Sequence, residues 1–220
     1  MMQSANGAGM ERTGEDGSSR RRHGNRSGLL KRAAPLGVLV LVLGLGCKGQ
    51  NDKGNDMMPC TPIAFAGSIG SPGAGDVYLL SPIGSCDSVD ISVLVTNLSG
   101  IFTVGFELNY PSSVIEYQSF SPGPLLQQGS PPTAPEFFVT NPSPGDIVAS
   151  GTLFRPDSSV SAVGNASFMT FHFVKVASGV GAVDFNTSTG GSINNKIIDE
   201  NGSVVAASFG PGHGGAVQVP

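Results

Sequence analysis

The sequence predicts an all-β protein built as an antiparallel β-sandwich. Short segments alternate apolar and polar residues with a period of two, which places one face of each segment in a core. The 32 glycines and 16 prolines among 220 residues provide frequent turns. Charged residues make up only 13% of the chain, and no segment of helical length shows a helical period. Helical bundles and coiled coils are therefore excluded.

Two adjacent segments have the clearest strand pattern. Residues 89–95 place Val and Ile at every second position, and residues 102–110 do the same with Phe, Val, Leu and Tyr. Residues 97–100 between them contain Asn, Ser and Gly, and we expect the chain to turn there. Pro111 ends the second segment because proline cannot donate to a strand ladder.

Shorter alternating segments complete the predicted sandwich. A slip in the alternation after Phe173 predicts a bulge, and Asn201-Gly202 suits a hairpin turn within residues 199–202. The glycine-rich residues 211–220 are expected to form a flexible tail. The additional predicted strands cover residues 114–120, 137–140, 146–153, 169–176, 182–185, 193–198 and 204–209.

Charge is distributed unevenly along the chain. Residues 1–46 carry seven basic and three acidic side chains, whereas the chain from Cys47 onward carries five and thirteen. A basic segment followed by the apolar residues 33–46 is typical of a signal peptide, with a short membrane anchor as the alternative. Leu43-Gly-Leu-Gly-Cys47 resembles a bacterial lipobox, which implies that residues 1–46 are removed and that Cys47 is lipidated.

The predicted export also guides the interpretation of the remaining cysteines and of the segment that begins at Cys47. Residues 47–60 are polar and aperiodic, as expected of a tether. Cys60 and Cys86 are an even pair that an exported protein most simply joins as a disulfide, although two free thiols stay possible. No metal site is predicted, since His172 and His213 have no close ligand partners in the sequence. The acidic charge after Cys47 also excludes a nucleic-acid partner.

Several segments of residues 61–210 resemble the cohesin family. They are residues 90–97, 103–116, 121–126, 168–176 and 198–205, of which the run Tyr110-Pro111 to Val114-Ile115-Glu116 is the most specific. The resemblance implies a jelly-roll sandwich of about nine strands, related in fold to some carbohydrate-binding modules. Cohesins bind dockerins, small calcium-loaded helical modules, through one exposed sheet face. The outward residues that the resemblance places on that face are Thr103, Gly105, Glu107 and Asn109.

Catalysis is not predicted. His172 lies mid-strand on the expected outer face, where a solvated or cross-strand paired histidine is the ordinary case. No serine has the sequence surroundings of a nucleophile elbow. The carboxylates Glu107, Glu116 and Glu136 are not arranged as a recognisable glycosidase pair. The chain is therefore predicted not to be an enzyme, and no cofactor is expected.

Sugar or cation binding has weaker sequence support. The chain has no Trp for a flat stacking platform, and of its three tyrosines Tyr110 falls on the inward register. Residues 199–202 lack the ligand series of a calcium-binding loop, so a plain hairpin is favoured.

The predicted function is that of a non-catalytic, extracytoplasmic binding protein. It would be a bacterial lipoprotein, held by Cys47 in a membrane at the cell surface or in the periplasm, that docks a dockerin-type protein by a sheet face. A link to polysaccharide breakdown follows from the family. The alternatives are a carbohydrate-binding module whose partner is polysaccharide, and a structural or adhesive surface lipoprotein. Fold alone does not decide among them.

Overall fold

The computed structural model of the chain describes residues 60–82, 84–128, 134–154, 158–188 and 195–220. These residues contain twelve β-strands and one 3-10 turn at Leu125–Gln127, and the strands form two sheets. No helix in the described ranges has the length and apolar character needed to cross a membrane. The predicted signal peptide, the lipidation site at Cys47 and the tether up to residue 59 lie outside the described residues.

The larger sheet is built around a central strand, β4. Its eight strands are β1 (Ala64–Gly67), β4 (Thr103–Asn109), β6 (Glu136–Ser143), β7 (Asp146–Thr152), β9 (Gly179–Phe185), β10 (Lys196–Ile198), β11 (Val204–Val205) and β12 (Gly215–Val219). Strand β7 pairs along the whole of one edge of β4, and β6 pairs with β7. The other edge of β4 is shared by β9 and β10, which continue to β12 and β1 and to β11.

The smaller sheet has the order β2-β3-β8-β5. Its strands are β2 (Val77–Leu80), β3 (Ser88–Ile101), β5 (Ile115–Pro122) and β8 (Val160–Lys175). All strand pairs in both sheets are antiparallel, which agrees with the predicted all-β antiparallel sandwich.

Phenylalanines form the centre of the core between the sheets. Phe106 is fully buried and contacts Phe168, Phe171 and Phe185 edge to face, with ring centroids 5.6–6.2 Å apart. The alternating residues predicted to face inward, Val89, Ile91, Val93, Val95, Val104, Leu108 and Tyr110, are likewise buried. The period-two pattern therefore identified the core side of both long strands.

Two local expectations are wrong, and the number of strands differs from the number that the resemblance implied. The chain does not turn at residues 97–100, which lie inside β3. Positive φ angles at Asn97 (43°) and Gly100 (76°) accompany register shifts against β8 there. The bulge in β8 falls at Phe168, where two consecutive residues are buried, and not after Phe173. The described strands also number twelve rather than about nine, because several are only two to five residues long.

The C-terminal segment is part of the sandwich and not a flexible tail. Strand β12 lies between β1 and β9, and its Val217 and Val219 are buried. The three-residue alternation from Val217 to Val219 is too short to stand out after a glycine-rich stretch. The sandwich consequently extends to Val219 rather than ending at residue 210.

A disulfide closes the start of the described chain. It joins Cys60 to Cys86, whose Cα atoms are 5.8 Å apart. Ile63, the residue directly before β1, donates its backbone N–H to Ser85 O at 2.8 Å, next to that bond. The disulfide therefore holds the entry of β1 against the loop between β2 and β3.

Candidate functional site

The four residues predicted to contact a partner lie in a row on the outer face of the larger sheet. Thr103 and Glu107 are half-buried, Asn109 is exposed and Gly105 is buried. Neighbouring β4 residues between them point into the core. The predicted outward register of β4 is therefore present, but only Asn109 is freely exposed.

Strand β7 supplies the adjoining row of the same face. Antiparallel partners share a face, so Thr152, Ser150, Val148 and Asp146 lie beside Thr103, Gly105, Glu107 and Asn109, respectively. The hydroxyl groups of Thr103 and Thr152 form a hydrogen bond of 2.7 Å. Small and β-branched side chains thus give the middle of the face an even surface.

Gly105 forms the floor of a notch in this surface. It is buried although it points outward, and a Cβ added to it would meet no atom within 4 Å. Its φ is not in the left-handed region, so the backbone conformation does not require glycine. The space above Gly105 therefore has room for at least an added methyl group.

The row that crosses the sheet at Gly105 has an aromatic residue at one end and a cation at the other. Strand pairing sets Phe138 beside Ser150, Ser150 beside Gly105 and Gly105 beside Lys196. Phe138 is 60% exposed. Sequence reasoning missed Phe138 and Lys196, because only the pairing of distant strands brings them to β4.

Glu107 is tied to its own chain. Its Oε1 accepts a hydrogen bond from Asn186 Nδ2 at 2.8 Å, and its backbone N–H donates to Asn195 Oδ1 at 2.9 Å. Its Oε2 is buried and has no hydrogen-bond partner among the described residues. Glu107 therefore holds the connection between β9 and β10 in addition to lying on the predicted partner face.

The remaining charge on this face is mainly acidic. Glu136, Asp146 and Asp184 occupy outward positions near the ends of the strands, against Lys196 in the middle row. Such a distribution attracts a basic partner surface and disfavours an acidic one.

The outer face of the smaller sheet is different in character. Asp90 and His172 are cross-strand partners, with Oδ1 and Nδ1 2.7 Å apart, and the Ser92 and Thr170 hydroxyls are 2.8 Å apart. His172 is thus paired across the strands, one of the two ordinary arrangements expected for it. The polar groups along this face bond to one another.

In the described part of the chain, no group of three His, Cys, Asp or Glu residues has metal-binding geometry. Asp199 uses its Oδ1 to accept from the backbone N–H groups of Asn201 and Ser203, at 2.9 and 2.8 Å. Gly202 has a φ of 83°. Residues 199–202 therefore form the predicted hairpin turn, with the carboxylate used inside the turn.

Solved structures similar to this chain are cohesin modules, the family that the sequence resembles. A cohesin from Clostridium acetobutylicum is 17% identical with a TM-score of 0.48, and the match covers 66% of this chain and 89% of that one. A non-cellulosomal cohesin from the archaeon Archaeoglobus fulgidus is 16% identical with a TM-score of 0.43, covering 60% and 85%.

A third similar structure is the sixth cohesin of scaffoldin B from Acetivibrio cellulolyticus, in complex with a dockerin. It is 18% identical with a TM-score of 0.44, covering 68% of this chain and 94% of that one. No protein-family model and no curated protein matches this chain.

Proposed function

We propose that this chain is a non-catalytic binding module that docks a dockerin-type protein on the outer face of its larger sheet. The observation that carries the proposal is the row formed by Phe138, Ser150, Gly105 and Lys196. It combines an exposed aromatic ring, an empty notch and a cation on a surface that no described element of the chain covers.

Phe138 gives this row the aromatic anchor of a protein-binding centre. Exposed aromatic residues are enriched in interface centres, where a few well-packed anchors provide most of the binding energy. Phe138 is such an anchor, and the notch over Gly105 accepts an anchor from the partner. The hydroxyl-bearing residues Thr103, Thr152 and Ser150 around the notch offer hydrogen bonds that orient the docked surface.

The class of partner follows from the cohesin resemblance of the sequence. A dockerin that fits this face would place basic side chains opposite Glu136, Asp146 and Asp184, with an apolar or hydroxyl side chain over Gly105. Rim charges of this kind mainly accelerate association. We therefore expect the association rate to fall as salt is added.

We also propose the cellular setting. Export through the signal peptide and lipidation of Cys47 would anchor the module to a bacterial membrane, at the surface or in the periplasm, where a docked enzyme would act on polysaccharide. Replacing Cys47 with Ser should move the protein from the membrane fraction to the soluble fraction and abolish incorporation of labelled fatty acid. Unchanged fractionation with unchanged labelling would contradict the anchor.

The docking proposal is tested by direct binding. The immobilised protein is exposed to a panel of purified calcium-loaded dockerins, and binding is recorded before and after addition of a calcium chelator. Gly105→Arg fills the notch and should weaken capture at least about tenfold. Ser121→Arg, an exposed position on β5 of the other sheet, is the matched control and should bind normally.

Two results would contradict docking on this face. One is dockerin capture that is equal for Gly105→Arg and the unmodified protein. The other is the absence of capture by any dockerin in the panel together with none in a pull-down from the producing cells.

A further inference from the structure

A groove opens at one side of the sandwich, where the edge strands β5 and β6 of the two sheets diverge. Its volume is about 640 Å³, and it extends from the end of β4 to the β6–β7 turn. We call it the seam groove. Its lining includes Tyr110, Ser112, Glu116, Tyr117, Gln118 and Asn141. The volume lies within the range of small-molecule sites, about 300–1,000 Å³.

One wall of the seam groove is held rigidly. The Tyr110 hydroxyl donates to Asn141 Oδ1 at 2.9 Å, and Asn141 Nδ2 donates to the backbone carbonyl oxygens of Ser143 and Asp146. The backbone N–H of Tyr110 donates to Gly145 O at 2.8 Å. These bonds lock the β6–β7 turn to the end of β4, so this wall is in place before any ligand arrives.

The rest of the groove lining presents unengaged polar groups. The side chains of Ser112, Glu116 and Gln118 are exposed and have no hydrogen bond or ion pair to any described residue. A hydroxyl, a carboxylate and an amide together offer acceptors and donors within one small space. That combination suits a ligand that carries several neutral hydroxyl groups.

Tyr117 adds an aromatic surface to the lining of the groove. It is half-buried and packs on Phe171 and Phe173 with ring centroids 6.1 and 6.2 Å away, which fixes the ring. A tyrosine with an apolar body and a polar tip suits a ligand with an apolar ring face and polar edges.

Charge excludes anionic ligands from the seam groove. Glu116 is the one charged residue among the described residues that line it. The neighbouring Lys175, paired with Ile115 of β5, donates its Nζ to Pro220 O at 2.6 Å. Because no cation lines the groove within the described ranges, a phosphate, sulfate or uronate would lack a counter-charge there.

The backbone of the groove is poorly suited to adding a peptide strand. A register irregularity between Tyr117 and Ser119 interrupts β5, and Pro142 and Pro144 lie along the opposite wall. Bulges and prolines at sheet edges oppose strand addition. Recognition in this groove therefore depends on side chains.

We propose that the seam groove binds a short neutral saccharide, with a sugar ring against Tyr117 and its hydroxyl groups bonded to Glu116 and Gln118. This site is separate from the face that contains Gly105, and it does not depend on docking there. A bound glycan would place the module on polysaccharide while the larger sheet remains open to a protein.

The test uses the full-length protein and a panel of soluble, neutral hexasaccharides with glucose, xylose and mannose backbones, followed by NMR and calorimetry. At least one should bind, with amide shifts concentrated at Tyr117, Gln118 and Asn141. Gln118→Ala should weaken it at least about fivefold. Ser121→Ala, on the same strand but outside the groove, should leave the affinity unchanged. Tyr117→Ala would remove core contacts together with the sugar contact. Tyr117→Phe is therefore the variant that tests the aromatic ring, and it should retain the fold and part of the affinity for the saccharide.

The outcomes separate this proposal from dockerin docking. Gly105→Arg should bind saccharide normally, and Gln118→Ala should bind dockerin normally. The saccharide proposal is overturned if no neutral oligosaccharide in the panel produces shifts in the groove at millimolar concentration. Groove shifts caused only by a basic or proline-rich peptide, or equal binding by Gln118→Ala and the unmodified protein, would also overturn it.

Discussion

The carboxylate of Glu107 is hydrogen-bonded to Asn186, with 2.8 Å between Oε1 and Nδ2. This contact lies where β9 has left the edge of β4 and β10 has not yet joined it. Asn195 completes the arrangement, because its side chain accepts from Glu107 N and donates to Asn186 O. At the centre of the larger sheet, side chains therefore make hydrogen bonds in place of those that a continuous neighbouring strand would make.

Loss of the Asn195 amide should destabilise the protein. Asn195→Ala leaves the Glu107 backbone N–H without its acceptor, and an unsatisfied donor in a half-buried position costs about 1–3 kcal/mol. The free energy of unfolding measured by urea denaturation should fall by that amount. The control is Thr187, an exposed residue that follows Asn186 in the sequence, and Thr187→Ala should change the free energy of unfolding little. Equal stability of the two variants would show that the asparagine side chains are not needed to complete the sheet.

Two glycines in strands of the larger sheet should respond in opposite ways to an added methyl group. A Cβ at Gly215 would approach the Phe65 ring to 2.3 Å and Ala66 O to 2.6 Å, whereas a Cβ at Gly105 meets nothing within 4 Å. We expect Gly215→Ala to cost about 1–3 kcal/mol through overpacking. Gly105→Ala should be neutral or slightly stabilising, since alanine restricts the unfolded chain. The stabilities of the two variants are compared by thermal and urea unfolding. A larger loss of stability for Gly105→Ala than for Gly215→Ala would rule out the notch.

Reduction of the disulfide should lower stability without changing the core. Cys60 and Cys86 are 26 residues apart, and closing a loop of that length stabilises by about 3 kcal/mol in the chain-entropy model. The double variant with serine at both positions should show this loss in urea, with the same strand content by circular dichroism. Adding a reductant should destabilise the unmodified protein and leave the double variant unaffected.

Stability should decrease in alkaline solution because two tyrosines have higher pKa values in the folded state than in the unfolded state. Burial raises the pKa of Tyr78 and of Tyr117 above the ordinary 10.0, although a hydrogen bond with Thr96 opposes part of the rise for Tyr78. The folded state therefore retains these protons more strongly than the unfolded state does. Their stabilising contribution is complete below pH 10 and is lost as the pH rises through the raised values.

A near-ultraviolet absorbance titration checks this prediction, with unfolding midpoints measured across the same pH range. Tyr78→Phe and Tyr117→Phe should each remove one late-titrating group and reduce the alkaline loss of stability. Titration of both tyrosines at the ordinary value in the folded protein would contradict it.

The candidate protein-binding face was only partly predictable from the sequence. The period-two pattern placed Thr103, Gly105 and Asn109 on the outside of β4, because alternation determines the face of every residue in a strand. The same pattern could not show that Phe138 and Lys196 lie in the row of Gly105. That row depends on which strands pair and in what register, and those contacts span long distances in the sequence.

The seam groove was less predictable still. Tyr110 and Tyr117 alone gave no reason to expect a sugar site in a chain without Trp. The groove is lined by residues from the end of β4, from β5 and from the β6–β7 turn, and no local segment encodes that these will meet.

The sequence by itself determined the all-β class, the core side of β4 and of residues 89–95 in β3, and the hairpin at residues 199–202, since these depend on nearby residues and backbone preferences. The tertiary structure decided the assembly of β12 into the larger sheet, the hydrogen bonds of Glu107 with Asn186 and Asn195, and the position of the seam groove. Each of these results from packing distant segments against one another, and short-range alternation carries no information about which segments will meet.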